Sequence, residues 1–333
     1  MPYKKPEIIC EIASAHGGDT KKLRQLINCA RQSGADWVKL QIFKYESLVE
    51  NSNNAFDDLK IIEIKQDLWE EILKFCENFT TKIIAEVYDQ ESFDFVKGFK
   101  SISAYKIPTA DINDKEFCAN IFQQGKPVFV GTGGASIREI DELIKLSDKF
   151  SCQIKLIHGI QSFPTKVKDS FLEKISLFSD RYQVEVGYAD HIDAENKLMS
   201  FSLSAMSIAA GASFIEKHIT LNRSEKGYDY YSALNPIEFK EFVNFIKLIS
   251  KSIKSNPTFN LSKSEKIYRN KMKKFAVLSD DVSKGEILKN TSFQFKRTSK
   301  AGLTRLELSK FLNHSFKLNL KKGNVINSEY LEK

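Results

Sequence analysis

The side chains of this chain best suited to chemistry recur at the ends of short apolar runs. Glu11 lies in the first run, Lys39 and Gln41 in the second, and Glu86 in the third. Lys106, Thr109 and Asp111 close the fourth, Gly131, Thr132, Gly133 and Gly134 the fifth, and His158 and Gln161 follow in the sixth. Asp190 and His191 end the seventh, and Glu216, Lys217 and His218 the eighth. Any one such charge is more simply a bottom-face ion pair or an outward-facing group, and alternation forbids Glu216 and Lys217 from sharing a side. Together, ammonium groups, carboxylates and imidazoles at one end of successive strands describe a polar pocket for an anionic or oxygen-rich ligand.

His191 and His218 fall at the ends of neighbouring strands, where their imidazoles can converge on one ion. Two histidines completed by water and substrate oxygens suit a borderline divalent cation such as Mn²⁺ or Zn²⁺. His158 reads as a third ligand, a general acid or a hydrogen-bonded core histidine, and His16 in the first loop is placed to reach a substrate. The run GTGGAS at 131–136 resembles an anion-gripping turn before a helix N-terminus. It is not a Walker motif, and no dinucleotide fingerprint follows the first strand.

The elements that must position these groups are legible as a repeating pattern. Apolar runs end at Ser14 and occupy 37–43, 82–88, 104–110, 126–133, 154–160, 182–190 and 212–220. Several are continuously apolar, as parallel strands covered on both faces require. Amphipathic segments alternate with them, such as TKKLRQLINCARQSG with Leu23, Leu26, Ile27 and Ala30 on one stripe and Gly34 as its stop. Eight such units predict an α/β fold, a (β/α)₈ TIM barrel. A polar excursion at 46–64 follows the second strand, on the end of the barrel that carries active sites. Past residue 252 the pattern changes. The domains are read as a barrel at 1–255, a polar connector at 256–272 that includes Pro257, and a small, mainly β domain at 273–333. That last segment holds a degenerate repeat, DDVSKGEILKNTSFQF near 280–295 and LNLKKGNVINSEYLEK at 318–333, each half with a Lys-Gly turn.

Composition excludes several classes. The 333 residues are 42% hydrophobic and 28% charged, ordinary for a soluble globular protein. The net charge of +7 comes from scattered lysines without an Arg-rich helix, which argues for a solvated surface and against a nucleic-acid partner. No stretch is long and apolar enough to cross a bilayer, and the N-terminal run is too short for a signal-peptide core, so no membrane partner is expected. The five cysteines are far apart and form no CxxC pair, which predicts reduced thiols and a cytoplasmic location.

These motifs resemble the sialic acid synthase (N-acetylneuraminate synthase) family. EIASAHGGD at 11–19 and GADWVKLQIFK at 34–44 are similar to its first two strands, and AYKIPTADI, KPVFVGTGGASIREI, VGYADH and GASFIEKHITLNRSEKGYDYYSALNPIEF follow in order. The terminal module resembles the family's antifreeze-like (SAF) domain, including the Lys-Arg of FKRTSK. The resemblance implies a transferase of nonulosonic acid and surface-polysaccharide biosynthesis. Such an enzyme condenses phosphoenolpyruvate with the open-chain aldehyde of an N-acylated amino sugar, giving a sialic-acid-like 2-keto-3-deoxy acid and phosphate. It also implies roles. His191 and His218 bind Mn²⁺ or a similar ion and act with Glu11 and Asp111 in catalysis. Lys39 and Lys106 neutralise the phosphoenolpyruvate anion, and Gln41 and Asp229 hydrogen-bond sugar hydroxyls. Arg297 enters the barrel mouth of the partner subunit, which makes a homodimer the active form.

The sequence departs from the family pattern around the phosphate. Glu86 stands where Thr is usual, Asp111 where Glu is usual, and Thr109 where Ser is usual. Gly131 and Ala189 replace serines, Gly159 a cysteine, Gln161 an asparagine and Phe163 a tyrosine. Glu86, Thr109 and Gln161 therefore join the expected substrate-binding set. Three readings follow: a phosphoenolpyruvate-dependent synthase; a divergent metal-dependent carbon–carbon bond-forming barrel enzyme that uses pyruvate or another small acid; and a non-enzymatic binding protein on the same scaffold.

Overall fold

A computed structural model describes residues 5–253 and 259–333. The chain forms two compact units, Met1–Pro257 and Thr258–Lys333. Eight parallel strands close the first unit into a barrel in sequence order. They are β1 (Glu7–Glu11), β2 (Trp37–Ile42), β3 (Lys82–Val87), β4 (Ile102–Ile107), β5 (Val128–Gly131), β6 (Ile154–His158), β7 (Glu185–Asp190) and β8 (Phe214–His218). Every expected strand is present, and helices cover the outside. The first helix, Thr20–Ser33, shows why the chain folds locally as it does: the Asp19 carboxylate accepts the N–H groups of Lys21 and Lys22 at its start. Gly34, at φ 81°, closes its end by donating to the Ala30 and Arg31 carbonyls.

Alternation sorts each strand between two environments. Outward residues such as Cys10, Val38, Leu40 and Ala85 join the large core beneath the helices. Inward residues Ile9, Trp37, Ile84, Ala104, Phe129, Ile157, Ala189 and Phe214 fill the barrel itself. The Phe129 ring meets Trp37 and Phe214 edge-on, with centroids 5.5 and 5.1 Å away. One inward step beyond this plug, toward the C-terminal end of the strands, come Glu11, Lys39, Glu86, Lys106 and Glu216. At the opposite end Lys155 pairs with Glu185 at 2.6 Å, a bottom-face ion pair.

A second buried ion pair lies outside the barrel wall. Lys217 Nζ stands 3.4 Å from Asp190 Oδ1, and both side chains are fully buried. Asp190 Oδ1 accepts the Ile192 N–H at 2.9 Å, and Oδ2 accepts the hydroxyls of Ser204 at 2.7 Å and Ser200 at 3.3 Å from the helix Lys197–Ala209. Register pairs Asp190 with Lys217 across β7 and β8. The residues that follow them, His191 and His218, take the other side of the wall.

The excursion at 46–64 contains two short helices, Tyr45–Leu48 and Phe56–Ile62. Asp58 accepts a hydrogen bond from the Tyr228 hydroxyl at 3.0 Å, which ties the excursion to the loop after β8. In the second unit β9 (Lys274–Leu278) pairs antiparallel with β10 (Phe293–Arg297), and β11 (Ser315–Phe316) with β12 (Leu331–Glu332). The repeat is structural: Gly285 and Gly323 adopt φ 84° and 83° in matching turns, and Val282 bridges Leu320. Leu288 and Ile326, three residues past each glycine, are fully buried in its core. Part of the stretch read as a connector is helical, Lys263–Met272, capped reciprocally by Ser262 and Glu265. Pro257 and the 255/256 boundary lie outside the described residues. No helix among the described residues is long and apolar enough to cross a membrane.

Gly187 on β7 shows how tightly the plug is filled, because a methyl group there would stand 2.1 Å from the Phe214 ring. Gly187→Ala should lower stability by about 1–3 kcal/mol through overpacking. Urea unfolding of the two proteins checks this, and an unshifted midpoint would contradict the packing described.

Candidate active site

Register delivers the charges in pairs. Glu11 lies beside Lys39 across β1 and β2, and Glu86 beside Lys106 across β3 and β4. Lys39 Nζ contacts Glu11 and stands 2.9 Å from both Glu86 Oε2 and Glu216 Oε1. Lys106 Nζ lies 3.2 Å from Glu86 Oε1 and 3.3 Å from Glu216 Oε1. All five side chains are buried. Burial works against charging Glu86 and Glu216, but Lys106 and Lys39 hold both carboxyls below their ordinary range. Burial also works against the Lys106 ammonium, which Glu216 and Glu86 keep above its ordinary value. For Lys39 burial is the larger influence and lowers its affinity for the proton, with Glu216 and Glu86 opposing.

His191 and His218 open onto the same cavity, of about 610 Å³, with ring centroids 5.3 Å apart. His191 Nδ1 is 2.8 Å from the Ile160 carbonyl. A carbonyl only accepts, so Nδ1 carries the proton and Nε2 presents its lone pair. Burial lowers His191 to about 4, and burial together with His191 lowers His218 well below its ordinary value. Both rings are therefore neutral near pH 7, the state a metal ligand requires. His218 Nδ1 is buried without a protein partner, an orphan that a bound ion or ligand would satisfy. The residues thus fit a divalent cation. Among the described residues no group of three or more His, Cys, Asp or Glu side chains could hold a metal ion, so a cation here would complete its shell with water or substrate oxygens. Phe163 packs on His191 with centroids 4.4 Å apart.

The remaining sequence-predicted residues divide into those that line the cavity and those that do not. Gln41, Thr109, Gln161 and Asp229 line it. Gln41 Nε2 donates to Glu86 Oε2 at 3.3 Å, and Thr109 Oγ1 is buried with no partner. Asp229, at φ 60°, accepts the Ser14 N–H at 3.2 Å, and burial raises its pKa. Asp111 sits in the turn after β4, beside rather than among the lining residues, with Oδ2 buried and unpartnered. Burial, then Asp114, Glu86 and Asp89, raise it to about 6. Arg297 is exposed on β10 of the second unit.

One open reading resolves and two expectations change. His158 points away from the cavity, its Nε2 bonded to the Ser170 carbonyl at 2.8 Å, so it is the core histidine. His16 accepts the Gly18 N–H at 2.9 Å and fixes its own loop rather than lining the cavity. The GTGGAS turn brings Gly133, Gly134 and Ala135 to the cavity, but Glu139 lines it too and takes the Ser136 N–H at 2.7 Å, so a carboxylate already sits at that helix start. The glycines have packing reasons: a Cβ at Gly131 would meet Thr109 Oγ1 at 2.7 Å, and one at Gly159 would meet Ala189 Cβ at 2.7 Å.

Sequence reasoning left Glu216 outside the expected site, although it bridges both lysines. Alternation back from His218 is the signal that finds it, since residues two apart on a strand share a side. Tyr88, Asn113 and Glu139 also line the cavity, and nothing in their spacing marked them; Phe163 lines it too, at a position that only the resemblance had marked.

Residues 26–257 match the NeuB family. The chain is 29% identical to an uncharacterized protein of Methanocaldococcus jannaschii, over 96% of this chain and 92% of that protein. It is 26% identical to the N,N'-diacetyllegionaminic acid synthase of Campylobacter jejuni, over 97% of this chain and 99% of that protein. Among solved structures, the putative spore coat polysaccharide biosynthesis protein E of Chromobacterium violaceum superposes with a TM-score of 0.84 at 22% identity. That likeness covers 99% of this chain and 100% of the other, and it concerns the fold.

The Asp111 environment has a measurable sign. An aspartate in an unfolded chain titrates near 3.9, so the folded protein, with Asp111 at about 6, holds this proton more tightly. The resulting stabilisation is full below the unfolded value and lost as pH rises through about 6. Asp111→Asn should therefore gain on the parent in urea unfolding between pH 4 and pH 8. A constant difference across that range would exclude the buried-carboxyl account.

Proposed function

Because the chain belongs to the NeuB family, we propose that it is an enzyme, a synthase of the sialic acid type. It condenses phosphoenolpyruvate with the open-chain aldehyde of an N-acylated amino sugar, giving a nonulosonic 2-keto-3-deoxy acid and phosphate. Relatives named for legionaminic, pseudaminic and N-acetylneuraminate-9-phosphate synthesis support this reading. The observation that carries it is the pairing, at one barrel mouth, of two neutral imidazoles with two buried lysines.

His191 and His218 would hold the divalent cation, Mn²⁺ in this reading, which when bound supplies Lewis acidity toward the aldehyde oxygen. Lys39 and Lys106 set fixed positive charge where the donor's anionic groups arrive. The donor's enol carbon attacks the aldehyde carbon, water adds at the donor C2, and the tetrahedral intermediate expels phosphate. Glu11, held by the Ala13 N–H at 2.6 Å and by Lys39, keeps the lysine oriented toward the reacting groups. Asp111, at about 6, can give and take a proton near neutral pH. Gln41 and Asp229 hydrogen-bond sugar hydroxyls, and Thr109 and Gln161 offer further polar contacts to the donor. The second unit is read as an SAF domain whose Arg297 reaches the partner's barrel mouth in a cytoplasmic homodimer and grips the acylated sugar. The product serves surface-polysaccharide synthesis.

A second reading, with pyruvate or another small acid as donor, is favoured by one observation: Glu86 already occupies both lysines. Phosphate release on mixing enzyme, Mn²⁺, phosphoenolpyruvate and candidate N-acylated amino sugars decides between them. Release dependent on both substrates is expected, and its absence with product formed from pyruvate selects the second.

Three substitutions test the assigned groups. His191→Ala and His218→Ala should each weaken Mn²⁺ binding by at least about a hundredfold and abolish turnover, with little change in unfolding. Unaltered Mn²⁺ titrations by electron paramagnetic resonance would remove the metal role. Arg297→Ala should raise the KM for the sugar while the barrel unfolds as before, and an unchanged KM would remove the reach of the second unit.

A further inference from the structure

The buried cluster holds more negative charge than it needs. Three carboxylates, Glu11, Glu86 and Glu216, surround two ammonium groups, Lys39 and Lys106. With Glu86 set aside, Lys39 still contacts Glu11 and Glu216, and Lys106 still contacts Glu216. Two acids then balance two bases. The count leaves one carboxylate over, and Glu86, only 3% exposed, is one whose removal strands neither lysine. A surplus buried carboxylate costs desolvation without being required for neutrality, so its presence calls for a function.

Its position suggests which one. Glu86 spans the two lysines, with Oε2 on Lys39 and Oε1 on Lys106, as a bidentate anion would. Neutral donors for an incoming oxyanion, such as Thr109 and Gln161, line part of the cavity, but part of the wall offers none. Gly131, Gly159 and Ala189 bring no hydroxyl, and their spacing leaves no room for larger side chains without movement. At the nearby helix start, Glu139 adds another carboxylate.

We propose that Glu86 determines which anion the donor subsite accepts: its carboxylate stands on Lys39 and Lys106 in place of an incoming anion, so the donor must compete with it and free dianions such as inorganic phosphate are excluded. This rests on the reading that the two lysines receive the donor. The subsite stays ordered and charged when empty, and product phosphate finds no tight resting place there.

The test is equilibrium binding to the full-length protein at fixed ionic strength, with inorganic phosphate and phosphoenolpyruvate titrated separately by calorimetry. Glu86→Thr and Glu86→Gln should each lower the Kd for inorganic phosphate by about tenfold or more, and Glu86→Asp, which keeps the charge, should resemble the parent. Glu86→Gln preserves side-chain size, so it keeps the test alive if the threonine variant folds poorly. An unchanged phosphate Kd in the folded Gln variant overturns the proposal. Tighter phosphate binding in the variants with no turnover of phosphoenolpyruvate by any form would leave the selector standing and remove the donor reading. Turnover by the parent with phosphate binding indifferent to residue 86 would do the reverse.

Discussion

Charge enclosed in a medium of low dielectric sets the terms for the rest of this structure. Coulomb attraction between Lys39, Lys106 and their three glutamates is much stronger inside the barrel than in water, and so is the penalty for leaving any of them without a partner. The five side chains must therefore be delivered together, in register, from β1, β2, β3, β4 and β8. Below them the plug built on Trp37, Phe129 and Phe214 keeps water from reaching the cluster from the other end. The closed barrel supplies both conditions, since its register fixes neighbours and its interior excludes solvent.

The imidazole pair depends on the same wall viewed from the other side. Asp190 and Lys217 each precede a histidine, and their ion pair joins β7 to β8 beneath the outer helix. Asp190 also holds the Ile192 N–H, so the backbone is fixed on either side of His191. The His191 carbonyl in turn accepts the Thr165 N–H at 2.8 Å and the Ser232 hydroxyl at 3.0 Å. Anchoring of this kind fixes where the two rings stand, 5.3 Å apart, while burial keeps both of them neutral.

Much of this was legible in the sequence, for a physical reason. Parallel strands buried on both faces leave continuous apolar runs, and a polar residue interrupting such a run at its C-terminal end has nowhere inconspicuous to go. Lys39, Glu86, Lys106, His191 and His218 announced themselves in this way and meet at one mouth. Glu216 was visible but undervalued, because Glu216-Lys217-His218 contains three polar residues and only pairing can say which belong inside. His158 stayed ambiguous because a histidine at a strand end looks the same whether its nitrogen meets a substrate or a carbonyl such as that of Ser170, and His16 in its loop was no easier to place. Pairing of Glu86 with Lys39 or Lys106 could be suspected, but that it spans both depends on distances across strands that no linear spacing records.

The anchoring of Asp190 by Ser200 and Ser204 has a practical side for enzyme engineering. These two serines occupy an outer helix and do not line the cavity, so a library designer would pass over them as neutral scaffold. Randomising that helix would disturb the wall that carries His191, whereas the excursion at 46–64, tied to the mouth through Asp58 and Tyr228, offers diversity without touching it.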